Sequence, residues 1–274
     1  MNKEIDKIIY DAFEEDIPTI DVTTDNLFQD EISEGIFTAK ENGVISGIKV
    51  MQRVFEILDD TLEIKVINPD GSVVEKGDII AIISGKSKSI LKGERIALNV
   101  MQRMSGVATL TRKFVSEISN NHTKILDTRK TTPNLRILEK QAVLHGGGMN
   151  HRMNLSDQVM IKDNHIKAAG SITNAVEIIK SKVDQSIKIE VEVETFDQFL
   201  EAIQTDCDII MLDNMSNELM RKCVEYNNNK LLEASGNMTL DRIKSVSETG
   251  VDFISVGALT HSYMALDISL KFSK

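Results

Sequence analysis

Along the second half of the chain, short apolar runs alternate with segments of helical period. The runs are Ile125-Leu126, Val159-Met160-Ile161, 187–193, 209–212, Leu231-Leu232 and 253–256, with starts about 34, 28, 22, 22 and 22 residues apart. Between them, 172–181, 196–204, 217–226 and 240–249 carry apolar residues at the spacing of an amphipathic helix. Strand–helix units of this period specify a parallel sheet, and right-handed crossovers wind it into a barrel or an open, doubly wound layer. The residues closing each run separate these two. Thr128-Arg129-Lys130, Lys162-Asp163-Asn164-His165, Glu194, Asp213-Asn214, Glu233-Ala234-Ser235-Gly236 and Gly257 put polar or phosphate-compatible groups at the carboxyl end of every strand. A (β/α) barrel aims several strand ends at one centre, whereas an open sheet favours a single crevice. Six loaded ends predict a barrel, with fewer strands than the standard one.

Residues 1 to about 105 follow another pattern. Ile5, Ile8, Ile9, Ala12 and Phe13 predict an amphipathic helix. Strand-like runs follow at 35–39, 44–48, 62–67 and 79–84, punctuated by Asn42-Gly43, Asp70-Gly71 and Gly77-Asp78, with a helix over 50–58. This reads as a small α+β domain with its own sheet. A long helix over about 90–118, broken near Gly106, bridges to the barrel.

Composition narrows the class. With 41% apolar and 27% charged residues, a chain of 274 residues is an ordinary globular protein able to bury a large core. A net charge of −10 excludes the broad basic face that non-specific nucleic-acid binding needs. No apolar run reaches membrane-spanning length, and acids interrupt the N-terminal segment where a secretory signal would be apolar. Two cysteines without a surrounding motif, Cys207 and Cys223, point to a reducing, cytoplasmic setting.

Against this acidic background, residues 127–165 stand out. Arg129, Lys130, Arg136, Lys140, Arg152 and Lys162 outnumber Asp127, Glu139, Asp157 and Asp163, and His145, His151 and His165 lie there too. A small, highly anionic substrate is the simplest reason for such a cluster. Read alone, Arg129-Lys130 is also a solvated rim pair; with Arg152 and Lys162 it reads as functional. His151 would donate to an anionic substrate or orient it. The glycines after His145 read as backbone in close passage, and His145 and His165 as structural. Glu190, Glu192 and Glu194 alternate along one run, so they share a strand face. Glu194 pairs with Asp213, and two carboxylates beside substrate phosphates make a Mg²⁺ environment. Ser235-Gly236-Asn237 and Ser255-Val256-Gly257-Ala258 lead into helices, as phosphate-binding turns do.

These motifs, in this order, resemble the quinolinate phosphoribosyltransferase family, the carboxylating nicotinate-nucleotide pyrophosphorylases. The resemblance also rests on Asp21-Val22-Thr23-Thr24, the 93–99 segment Gly-Glu-Arg-Ile-Ala-Leu-Asn, Leu212-Asp213-Asn214 and 254–262, and it spans nearly the whole chain. It implies an α/β protein: an N-terminal α/β sandwich-like domain over 1–105, joined by a tail of about 265–274, and an incomplete six-stranded (β/α) barrel over 106–264. It implies phosphoribosyl transfer from phosphoribosyl pyrophosphate to quinolinate with decarboxylation, for NAD synthesis, in a homodimer with Mg²⁺. Arg103 of the partner subunit, with Arg129, His151, Arg152 and Lys162, would form the dicarboxylate pocket. Lys130, Glu194 and Asp213 would be catalytic, handling phosphoribosyl pyrophosphate with Thr128 and the turns 235–237 and 255–258. The alternatives are a related transferase with another acceptor and a non-catalytic phosphosugar-binding barrel. Asn134, Asn154 and Asn237 stand where the family usually has glycine; asparagine tolerates positive φ best among the other residues. Ile20 also replaces a common glycine.

Overall fold

The computed structural model describes residues 3–120 and 122–273, so the chain's first two residues, Asn121 and the last residue of the tail lie outside the described residues. The chain forms two compact units. The first holds the chain up to Arg112, Thr131–Gly147 and the chain from Leu259 onward; the second holds Lys113–Lys130 and Gly148–Ala258.

In the first unit, helix α1 (Lys3–Asp16) and the single turn α2 (Thr24–Leu27) precede strands β1 (Ile32–Ala39) and β2 (Gly43–Val44). Helix α3 (Ile48–Leu58), β3 (Glu63–Val66), β4 (Val73–Val74), β5 (Ile79–Lys86) and helix α4 (Ser87–Ser116) follow. The predicted strand over 44–48 is cut to two residues. Gly47 takes φ 101°, a left-handed conformation that stops extended structure and starts α3. Along α3, Ile48, Met51 and Phe55 recur at helical spacing and are buried, and Phe55 meets Phe37 edge-on at 6.3 Å between centroids.

Nor is α4 broken at Gly106. A Cβ there would lie 2.2 Å from the carbonyl oxygen of Met264, so glycine serves the close passage of the C-terminal segment. That segment forms a last strand whose register pairs Gly35 of β1 with Phe272 and Ala39 with Ile268, giving an antiparallel sheet that also contains β5 and β3. A helix unforeseen from the sequence, Arg136–His145, also belongs to this unit. Gly146 just beyond it would carry a Cβ 2.5 Å from the Ala108 carbonyl, and His145 Nδ1 lies 2.7 Å from Ser46 Oγ. Both are packing roles.

The second unit contains β6 (Lys124–Leu126), β7 (Val159–Ile161), β8 (Ile189–Val193), β9 (Ile209–Asp213), β10 (Leu231–Ser235) and β11 (Phe253–Ser255). All pairs are parallel, in the order β6-β11-β10-β9-β8-β7. From β7 to β11 each strand therefore neighbours its successor in sequence, β6 lies beside β11, and β6 and β7 form the edges: the incomplete barrel, open between β6 and β7. Helices Ile172–Lys180, Phe196–Ala202, Asn217–Tyr226 and Leu240–Ser247 connect the strands where the sequence predicts them, three started by Ser171, Thr195 and Ser216 side chains accepting a backbone N–H. The short helix Asp163–Ala169 was not foreseen; His165 Nδ1 accepts the Lys162 N–H at its start.

Strand register fixes which side chains share a face. Glu190 and Glu192 align with Ile209 and Met211, Met211 with Glu233, and Asp213 with Ser235. Because side chains alternate, all these residues lie on the inner face, and the valines 191 and 193 face the helices.

Candidate active site

The inner face is built on a conflict. Glu190 and Glu233 are fully buried, each flanked by apolar neighbours on its own strand. Burial, with the negative charge of Glu192 opposing the nearby cations, pushes the Glu190 carboxyl up to about 8. Burial, reinforced by Glu190, does the same to Glu233. Both belong to β8 and β10, which flank β9, yet both meet one imidazole. His151 Nε2 lies 3.0 Å from Glu190 Oε2 and 3.5 Å from Glu233 Oε2. That convergence requires the sheet to curl.

Two further hydrogen bonds fix His151 in place. Its backbone N–H donates to Asp127 Oδ1 at 2.9 Å, and its Nδ1 accepts the Arg152 N–H at 2.7 Å. An accepting Nδ1 leaves the ring proton on Nε2, which faces the two carboxyls. The side chain is 6% exposed.

Arg152 does reach the site. It is half-buried, with Nη1 donating to the Gln158 carbonyl at 3.0 Å and Nη2 3.7 Å from Met160 Sδ. Burial, then the like charge of Arg129, lowers its proton affinity. Two guanidiniums sharing a half-buried place are stabilised by an anion between them. Thr128 and Arg129 are half-buried just after β6; Lys130 is exposed, its N–H donating to Thr128 Oγ1 at 3.1 Å. Lys162, following β7, forms an ion pair with Glu192.

The third carboxylate of the alternating run departs from the other two. Glu194 lies beyond the end of β8 and is exposed; its N–H donates to Gln198 Oε1 at 2.8 Å, within the capping box of the next helix. Glu192 is therefore the last inward carboxylate of β8; the sequence puts it on the shared face but assigns it no site role. The alternation itself held the signal. Glu233, which the sequence places at the close of its run without a site role, stands two residues before Ser235 on the same face.

At the end of β9, Asp213 is half-buried and its Oδ2 accepts from Asn214 Nδ2 at 2.7 Å. Asn214 Oδ1 in turn accepts from Asn237 Nδ2 at 3.2 Å, and the Asn214 N–H donates to the Ser235 carbonyl. Gly236 has φ 90° and Asn237 φ 47°, so asparagine holds the left-handed turn at 237. Asn134 does likewise at φ 65°, whereas Asn154 is absent from the positive-φ residues; its Oδ1 accepts the Ser156 N–H. Ser255 is buried at the end of β11, Val256 is buried, and half-buried Gly257 and Ala258 follow. In the first unit, Arg103 of α4 is gripped by its own surroundings: Nε donates to Glu139 Oε1 at 3.2 Å, Nη2 to Thr132 and Glu139, and the guanidinium lies 5.2 Å from the Tyr263 ring centroid.

A curled parallel sheet whose strand ends carry cations on one side and carboxylates with small-residue turns on the other defines a (β/α)-barrel enzyme for small anionic substrates. Sequence profiles described as "Quinolinate phosphoribosyl transferase, N-terminal domain" and "C-terminal domain" match residues 21–105 and 107–271. The chain belongs to the quinolinate phosphoribosyltransferase family. It is 42% identical over 268 residues to the "Probable nicotinate-nucleotide pyrophosphorylase (carboxylating)" of Bacillus subtilis (strain 168), covering 97% of this chain and 93% of that protein. The chloroplastic enzyme of Arabidopsis thaliana is 44% identical over 257 residues, covering 87% and 73%. Among solved structures, NadC from Streptococcus pyogenes superposes with a TM-score of 0.95 at 38% identity, covering 99% of this chain and 98% of that one. The nicotinate-nucleotide pyrophosphorylase of Francisella tularensis gives 0.95 at 39%, covering 100% and 97%.

Proposed function

We propose that this protein transfers the phosphoribosyl group of phosphoribosyl pyrophosphate to quinolinate and decarboxylates the adduct, yielding nicotinate mononucleotide, CO₂ and pyrophosphate for NAD synthesis. The observation that carries this is the half-buried pair Arg129 and Arg152, each within the other's field, with Arg152 and Lys162 both acting on Glu190. One carboxylate needs fewer cations; a ring with two adjacent carboxylates matches this set.

The ring nitrogen of quinolinate attacks C1 of the ribose, and the bond from C1 to the pyrophosphate oxygen breaks with its electron pair leaving on pyrophosphate. The C2 carboxylate then departs as CO₂, and the electron pair left on C2 takes up a proton. Arg129, Arg152 and Lys162 hold the dicarboxylate, with Lys130 reaching the phosphates; a desolvated cationic wall stabilises charge better than water does. Thr128, Ser235, Gly236, Asn237, Ser255, Val256, Gly257 and Ala258 receive the phosphoribosyl part. Glu194 and Asp213 offer only oxygen donors at neighbouring strand ends, a set suited to Mg²⁺ shared with substrate phosphates. When bound, that ion would neutralise the pyrophosphate leaving group.

Pyrophosphate release is expected to require both quinolinate and Mg²⁺. Release with nicotinate in place of quinolinate, and none with quinolinate, would overturn the substrate assignment.

We also infer a homodimer in which Arg103 serves the partner subunit's barrel. Its fixed setting between Glu139 and Tyr263 suits a pre-positioned guanidinium. Arg103→Ala and Arg152→Ala chains, each inactive alone, are expected to recover about a quarter of wild-type activity when refolded together, because half of the random dimers are hybrids with one intact site. If Arg103 served its own chain, mixing would recover nothing.

A further inference from the structure

Glu190 is the meeting point of a closed circuit around Arg152. Its Oε2 accepts from Gln158 Nε2 at 2.8 Å and lies 3.0 Å from the protonated Nε2 of His151. Gln158, through its backbone carbonyl, receives Arg152 Nη1 at 3.0 Å; His151, through Nδ1, receives the Arg152 backbone N–H at 2.7 Å. Arg152 is therefore held at its main chain and at its guanidinium by two residues that both rest on one carboxyl oxygen. We propose that Glu190 is a positioning residue, aiming the Arg152 guanidinium at the substrate dicarboxylate through His151 and Gln158. This rests on the reading of Arg152 as a quinolinate-binding residue.

Three features of the geometry support a neutral, hydrogen-bonding Glu190. One oxygen accepts from Gln158 and faces the His151 imidazole nitrogen at 3.0 Å. The other, Oε1, is buried with no hydrogen-bond partner among the described residues. Glu233 closes on the same imidazole nitrogen from β10, and two carboxyls so near each other favour retaining a proton. A metal held by His151, Glu190 and Glu233, whose ligand atoms lie within 4.8 Å of one another, fits less well. Ligation by Nε2 needs that nitrogen bare, whereas the Arg152 N–H on Nδ1 keeps the proton there.

The geometry makes glutamine the faithful replacement: its amide oxygen can accept from Gln158 and face His151 Nε2 as Oε2 does. Glu190→Ala is expected to raise KM for quinolinate roughly ten- to a hundredfold, the scale of a misplaced binding group, with KM for phosphoribosyl pyrophosphate within about twofold. Glu190→Gln is expected to restore the quinolinate KM to within about threefold of wild type. In a Glu190→Ala/Arg152→Ala double variant the loss should be no greater than for Arg152→Ala alone, because the first residue acts through the second. Gln158→Leu, which removes one arm and leaves the carboxyl in place, should raise the quinolinate KM several-fold; it carries the test if Glu190→Ala does not fold. Equal change in both KM values, failure of glutamine to rescue, additive losses, or an unmoved KM in Gln158→Leu would each overturn the positioning role. If the wild-type protein released no pyrophosphate with quinolinate, the functional reading would fall first and this inference with it.

Discussion

Replacing Arg152 with alanine is expected to lower kcat/KM for quinolinate by about three orders of magnitude, with KM for phosphoribosyl pyrophosphate nearly unchanged. The guanidinium is half-buried, and Arg129 beside it opposes its charge. A bound carboxylate relieves that repulsion and is desolvated in doing so. Removing one partner of such a pair leaves the other charge poorly compensated, which typically costs about 2–5 kcal/mol, and ~4 kcal/mol is a thousandfold. Arg152→Lys is expected to recover only part of the loss, because a point charge cannot reproduce the planar fork that meets Gln158 and a carboxylate together. Steady-state kinetics with each substrate varied in turn checks this. An unchanged quinolinate KM in Arg152→Ala would remove Arg152 from the pocket.

The second large effect concerns pH and stability. Glu190 and Glu233 have an ordinary value of 4.5 and are pushed up to about 8, chiefly by burial. Around them stand His151, Gln158, Arg152, Lys162, Glu192, Asp127 and Ser255. In the window between those values the folded protein keeps protons that the unfolded chain has released. Raising the pH through it therefore favours unfolding, and the loss levels off above the folded values. For two such groups the total is on the order of several kcal/mol. The melting temperature of the wild type is expected to fall by roughly 5 °C or more between about pH 6 and about pH 8.5. Glu233→Gln, which cannot ionise, should show a distinctly shallower decline and be the more stable protein at the alkaline end. Calorimetric melting across that range decides it: parallel declines for the two proteins would mean that Glu233 does not hold its proton.

Much of this arrangement was legible in the sequence, but unevenly. The 22-residue repeat gave the strands of the barrel and the polar residues closing them, because a buried parallel strand and its amphipathic crossover leave separate periodic marks. Strand parity placed Glu190 and Glu192 on one face. It could not say where the strand stops: β8 ends at Val193, and Glu194 lies beyond it, exposed, where Thr195 starts the next helix. The helix over Arg136–His145 was hidden because its buried face includes Glu139 and Lys140, charged residues that break the apolar pattern; Glu139 is inside because Arg103 meets it there. Gly106 looked like a helix breaker and is a site of close approach. The direction of the His151 ring depends on the neighbouring N–H and on two strands far along the chain, which no local pattern encodes.

The strand formed by Ile268–Phe272 has a consequence for the order in which the molecule is made. It closes the sheet edge at β1, with Gly35 opposite Phe272. Synthesis from the ribosome is vectorial, at about 5–20 residues per second. The residues that open the first unit therefore emerge before the second unit, while the strand that covers their edge emerges after it. The second unit is complete once Ala258 has appeared. Of the two units, the one whose synthesis begins first is the one that finishes last.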